Sequence, residues 1–162
     1  MRQLKEMVPV SPSGSPSSQW QKLFLYVDGS CSGNPGAGGA GVVVKDERGR
    51  IIARLKKYLG SVTNNRAEYQ ALIAGLEEAQ RLGTKEVEVY LDSELVVNQV
   101  NGVYRVRDTK LKTLEGEVRR RLGSFTRWVI SYIPREENRE ADRLAREAVR
   151  DKVDSVVAGP AG

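Results

Sequence analysis

Leu23-Phe24-Leu25-Tyr26-Val27-Asp28-Gly29-Ser30-Cys31-Ser32-Gly33-Asn34-Pro35-Gly36 is an apolar run that stops on a carboxylate and opens into glycine. The five residues before Asp28 have the make-up of a buried strand. A carboxylate closing such a strand incurs a desolvation penalty that a divalent cation offsets. From Asp28 to Gly41, six of fourteen residues are glycine. That density lets a backbone approach a ligand closely, although a mobile turn followed by a glycine bulge accounts for the glycines equally well. A dinucleotide-binding glycine loop is set aside, because this one runs into a strand pattern instead of opening a helix.

Outward from that segment the pattern alternates between the two regular structures. Residues 39–45 and 50–58 are β-rich runs around Asp46-Glu47-Arg48-Gly49, the spacing of a hairpin, so three antiparallel strands begin a sheet. Residues 65–82 carry helical periodicity through Ala67, Ala71, Leu72, Leu76 and Ala79 and stop at Gly83. Residues 87–91 alternate as a strand, which a right-handed crossover places parallel in the sheet. Helices over 94–100 and 111–122, a strand over 128–133 and a helix over 139–150 complete an α/β layout.

This places one domain over 22–150, of a size that buries a core without disulfides. Residues 1–21, with Val10-Ser11-Pro12-Ser13-Gly14-Ser15-Pro16, form a flexible tail, and 151–162, closing in Gly159-Pro160-Ala161-Gly162, a second one. The single cysteine, Cys31, excludes an intrachain disulfide, and no apolar run is long enough to span a bilayer. A cytoplasmic monomer without membrane contact is expected. Net charge is +5, with 26 Lys and Arg against 21 Asp and Glu, a balance that favours a polyanionic partner.

Four carboxylates stand out against that basic background: Asp28, Glu68, Asp92 and Asp142. Hard oxygen ligands gathered from strands and helices suit Mg²⁺ or Mn²⁺ and phosphate chemistry. Each except Asp28 has a plainer reading. Asn65-Arg66-Ala67-Glu68 has the spacing of a capping box, against which Glu68 lies on the stripe that faces the sheet. Asp92 precedes Ser93 where a helix cap belongs. Asp142 lies in a first turn, after Asn138 at the cap position, where the dipole favours any acid; it also edges the apolar face of Ala141, Leu144, Ala145 and Ala148. Thr63, Asn64 and Asn65 supply neutral donors beside a helix N-terminus, for phosphate oxygens, for base edges or for ordinary capping.

In order along the chain, Tyr26-Val27-Asp28-Gly29-Ser30 with Gly33-Asn34-Pro35-Gly36, Thr63-Asn64-Asn65-Arg66-Ala67-Glu68-Tyr69, Leu91-Asp92-Ser93-Glu94-Leu95, and Ile133-Pro134-Arg135-Glu136-Glu137-Asn138 with Ala141-Asp142-Arg143-Leu144-Ala145 resemble type 1 ribonuclease H. The resemblance covers roughly 23–149. It implies the ribonuclease H-like fold, a mixed five-stranded sheet flanked by helices. It also implies a catalytic, metal-binding set of Asp28, Glu68, Asp92 and Asp142 for two Mg²⁺ ions, with Mn²⁺ able to substitute. The implied substrate is the RNA strand of an RNA/DNA hybrid, cut to 5′-phosphate and 3′-hydroxyl ends. Gly29, Ser30, Asn34, Thr63, Asn64 and Asn65 would bind it, reading the 2′-hydroxyl with peptide and amide groups.

Two departures from the better-known bacterial pattern accompany the resemblance. The chain has no histidine: where such relatives carry one in a loop, Ile133-Pro134-Arg135-Glu136-Glu137-Asn138 makes a short direct connection in which Arg135 or Glu137 would substitute in part, and residues 102–122 lack their Trp- and Lys-rich extra helix. Lys110, Lys112, Arg119, Arg120 and Arg121 offer either a weaker basic surface or a solvated helix face. Two rivals stay open: a nuclease of the same fold cutting double-stranded RNA or DNA junctions, and a catalytically silent nucleic-acid-binding module. The intact carboxylates argue against the second, since a binder of polyanions gains nothing from buried acid at the phosphate contact.

Overall fold

The computed structural model describes residues 20–159. Strands β1 (Lys22–Gly33), β2 (Gly36–Lys45) and β3 (Ile51–Val62) run antiparallel, and helix α1 (Asn64–Leu82) crosses back so that β4 (Glu86–Leu91) joins β1 in parallel. Helices α2 (Glu94–Val100) and α3 (Thr109–Leu122) lead to β5 (Arg127–Tyr132), parallel to β4. Helix α4 (Arg139–Asp151) then leads to β6 (Ser155–Ala158), antiparallel to β3, for a sheet order of β5-β4-β1-β2-β3-β6.

The sheet therefore has six strands, not five, and residues 155–158 are not a loose tail. Strand β6 sits on the edge, with Val156 and Val157 about half exposed. A strand that packs so little leaves no alternating pattern to read. At the other end Trp20 packs against the core and the Gln21 carbonyl accepts the Glu86 N–H at 2.9 Å, so those two residues belong to the folded unit. The rest of the expected N-terminal tail lies outside the described residues. Among the described residues no helix is long and apolar enough to cross a membrane.

Period-2 alternation on β1 and β4 turns Leu23, Leu25, Val27, Val87, Val89 and Leu91 to one face, all buried. Against it α1 lays Tyr69, Leu72, Leu76 and Ala79, and α3 closes the layer with Leu111, Val118 and Leu122. Each fully buried leucine contributes about 1.5–3 kcal/mol. Helix α4 packs on the opposite face, mostly over β2.

The glycine-rich segment is not a loop. It is a hairpin, with Asp28 opposite Gly41 and Gly33 opposite Gly36. Its glycines admit helices on both faces: a Cβ on Gly41 would lie 2.0 Å from the Ala141 carbonyl oxygen of α4, and one on Gly29 would lie 2.3 Å from the Ala67 carbonyl carbon of α1.

Candidate functional site

Parallel pairing of β1 with β4 sets Val27 opposite Leu91, so the carboxylates that follow, Asp28 and Asp92, emerge side by side. The close seat of α1 on Gly29 brings Glu68 to them, and the Gly29 N–H donates to Glu68 Oε1 at 2.6 Å. One oxygen from each of Asp28, Glu68 and Asp92 lies within 4.8 Å of the others. Asp142 arrives from α4 within hydrogen-bonding range of Asp28, and its Oδ2 is 3.1 Å from a terminal nitrogen of Arg146.

The local hydrogen bonds separate ligand from cap. Thr63 caps α1 by accepting from the Arg66 N–H at 3.3 Å, so Glu68 belongs to no capping box. Ser93 caps α2 by accepting from the Val96 N–H, which frees Asp92. Asn138 stands at the N-cap of α4 without capping it. Instead its buried amide donates to the Val27 carbonyl at 2.8 Å and to Asp92 Oδ2 at 3.0 Å, fixing the Asp92 carboxylate against the end of β1.

The electrostatics are those of a cation site. Burial first, then the charges of Glu68 and Asp92, push the Asp28 carboxyl up to about 10. Burial pushes Glu68 up to about 8, outweighing the Gly29 hydrogen bond that favours its charged form. Among the described residues no cationic side chain sits within the trio. Three hard oxygen donors that repel one another, two of them buried and Asp92 partly so, fit a divalent cation.

These carboxylates open onto a hollow of about 640 Å³ that Gly29, Ser30, Asn64 and Asn65 also line. Asn34 and Thr63 stand outside it and hold its rim: Asn34 Oδ1 accepts the Asn64 N–H at 2.9 Å, and Thr63 is the α1 cap. Sequence reasoning missed Asn138 as the Asp92 anchor, and missed Ser93 and Arg146 as lining residues. An asparagine at a helix start was the only signal for the first. The basic run also divides. Arg119 pairs with Glu115 and Arg121 with Glu77 and Glu117, whereas Lys110 and Lys112 have no acidic partner among the described residues.

An α/β sheet with a carboxylate cluster where two parallel strands end defines a protein of the ribonuclease H-like fold. The reverse transcriptase-like family model matches residues 26–148. The chain is 39% identical over 130 residues to ribonuclease HI of Halobacterium salinarum, covering 80% of itself and 65% of that protein. It is 33% identical over 142 residues to ribonuclease H of Roseobacter denitrificans, covering 77% of itself and 93% of that protein. The chain spans 38% of the length of its mycobacterial relatives. Among solved structures, RNase H1 of Halobacterium salinarum superposes with a TM-score of 0.79 at 39% identity, over 80% of this chain and 98% of that one. LC11-RNase H1 in complex with RNA/DNA hybrid gives 0.77 at 41% identity, over 80% and 98%. The chain belongs to the type 1 ribonuclease H family, whose members are metal-dependent.

Proposed function

We propose that this chain is an endoribonuclease that hydrolyses the RNA strand of RNA/DNA hybrids, with Asp28, Glu68, Asp92 and Asp142 as its catalytic, Mg²⁺-holding residues. The observation that carries the reading is the trio of carboxylates, two buried and one partly so, within 4.8 Å of one another and opening onto a hollow that neutral hydrogen-bonding groups help to line. The hybrid-bound relative LC11-RNase H1, at 41% identity, supports the choice of substrate.

Divalent cations, when bound, supply activation of water and charge neutralisation at the phosphoryl and leaving oxygens. The chain's own residues supply position. Gly29 holds Glu68, and Asn138 holds Asp92, each through a hydrogen bond to one carboxylate oxygen. Gly29, Ser30, Asn64 and Asn65 offer the strand its hydrogen-bonding partners, with Asn34 and Thr63 keeping that rim in place. A 2′-hydroxyl both donates and accepts, so groups of this kind select RNA with little sequence preference. Arg135, not Glu137, stands in for the missing histidine: Arg135 lines the hollow and its charge lowers the Glu68 carboxyl, whereas Glu137 lines a small separate hollow beside Tyr26.

The test is cleavage of an end-labelled RNA strand presented as RNA/DNA hybrid, double-stranded RNA and single-stranded RNA, with Mg²⁺, with Mn²⁺ and with EDTA. Metal-dependent cutting of the hybrid to 5′-phosphate ends is expected. Cutting of double-stranded RNA alone would redirect the reading to the rival nuclease, and binding without cutting under either metal would leave a silent module.

A further inference from the structure

The four carboxylates are not equivalent. Asp28, Glu68 and Asp92 form the tight trio and make no ion pair among the described residues, while Asp142 stands at its edge beside Asp28, about 30% exposed, with Oδ2 bound to Arg146 one helical turn on. That spacing, an acid four residues before an arginine, is the favourable orientation for a helical ion pair. We infer that Arg146 is a built-in counter-ion that competes with divalent cations for Asp142, so that the fourth carboxylate, though already beside Asp28, becomes free to hold a cation only when that cation displaces the guanidinium. The inference rests on the reading of the carboxylates as cation ligands.

Three observations carry it. First, Arg146 lines the carboxylate hollow itself, so its charge lies where a cation would enter. Second, the displaced side chain has somewhere to go. Arg146 is two-thirds exposed and also lines an adjoining open hollow of about 560 Å³ that Asp142 shares and that holds the acidic Glu136 along with Arg135, Arg139 and Arg143. Third, the neighbouring arginine is otherwise engaged: Arg143 bridges Glu147 at 2.6 Å and Glu140 at 3.5 Å, so it makes no comparable claim on Asp142. An exposed ion pair is weak, which suits a partner that must be displaced by a cation at ordinary concentration.

The experiment is a Mg²⁺ titration of the full chain read by the rise in melting temperature, which reports binding and not turnover. Wild type is compared with Arg146→Gln, Asp142→Asn, the double variant and Arg143→Gln. Arg146→Gln is expected to lower the half-saturating Mg²⁺ concentration roughly two- to fivefold, the equivalent of one exposed ion pair. In the Asp142→Asn background the same change is expected to do nothing, because the residue acts through Asp142. The inference is overturned by an Arg146→Gln curve that superposes on wild type, by a shift that persists undiminished without Asp142, or by an equal shift in Arg143→Gln. A wild-type melting temperature indifferent to Mg²⁺ would overturn the cation-site reading and this inference with it.

Discussion

Asp28 is 5% exposed and faces Glu68, Asp92 and Asp142, so its charge is unfavourable twice, by lost hydration and by like charge. Its folded carboxyl titrates near 10 against an ordinary value of 3.8, and that of Glu68 near 8 against 4.5. Both are raised, so the stability they contribute is complete below about pH 4 and is lost as pH climbs toward those folded values. Without metal, the melting temperature of wild type is therefore expected to fall between pH 5 and 9 relative to Asp28→Asn. At pH 8 the variant should be the more stable by on the order of 2 kcal/mol, or roughly 4–8 °C, while losing activity. Calorimetry in EDTA across that range checks this; parallel curves for the two proteins would show that Asp28 is not strained. Asn138 is the complementary case. Replacing it with Ala strands the buried Val27 carbonyl, at a cost of about 1–3 kcal/mol, and lets Asp92 rotate. A residue that positions a ligand is expected to lower kcat about 10- to 100-fold with KM little changed, which steady-state kinetics on a hybrid would resolve.

At the scale of elements, α1 owes its place to Gly29. An added methyl would meet α1 backbone at 2.3 Å, and backbone does not yield cheaply. Gly29→Ala is expected to destabilise the protein by about 1–3 kcal/mol and to move Glu68 off its hydrogen bond, so activity falls even where the variant is fully folded. Denaturant melts and single-turnover cleavage would separate the two losses, and an active variant of wild-type stability would mean that α1 is seated by something else. The same element shows what could be read from residues alone. Alternation and helical periodicity placed the strand-helix order, because β1 and β4 each bury one face and α1 carries small and apolar residues where it packs on the sheet and on α3. They could not tell a glycine hairpin from a glycine loop, since the cause, two helices pressing close on Gly29 and Gly41, is tertiary. Nor could they separate Glu68 as ligand from Glu68 as cap, because both need a carboxylate at that spacing, and only the Thr63 cap and the Gly29 hydrogen bond distinguish them. Strand β6 escaped because an exposed edge leaves no pattern.

Across the whole molecule the excess of +5 has to be located before it explains binding. Helix α4 supplies little of it: Arg143, Arg146 and Arg150 are matched by Glu140, Asp142, Glu147 and Asp151 in ion pairs, and Arg139 alone of its arginines has none among the described residues. The arginines ending α3 are likewise engaged with Glu77, Glu115 and Glu117. Unpaired cations are scattered elsewhere, but a contiguous group of them is the connection into α3, where Arg105, Arg107, Lys110 and Lys112 are exposed beside a half-exposed Tyr104 and lack acidic partners among the described residues. Its position is set by helix direction. The α3 C-terminus is tied to the far end of α1, through Arg121 to Glu77 and Gln80, so the α3 N-terminus points toward the end of α1 that carries Asn64, Asn65 and Glu68. Fourteen residues of helix lie between, about 20 Å at 1.5 Å per residue. A duplex seated on the carboxylate hollow would bring further phosphates toward this connection, whose charge is sequence-blind and salt-sensitive. Neutralising Arg105, Arg107, Lys110 and Lys112 together is expected to raise KM for a long hybrid about tenfold or more at moderate salt, to flatten the salt dependence by up to about 0.9 per lost phosphate contact, and to leave kcat nearly unchanged. Neutralising Arg119 and Arg120 should do much less, and the same KM shift from both sets would assign the effect to net charge and not to place.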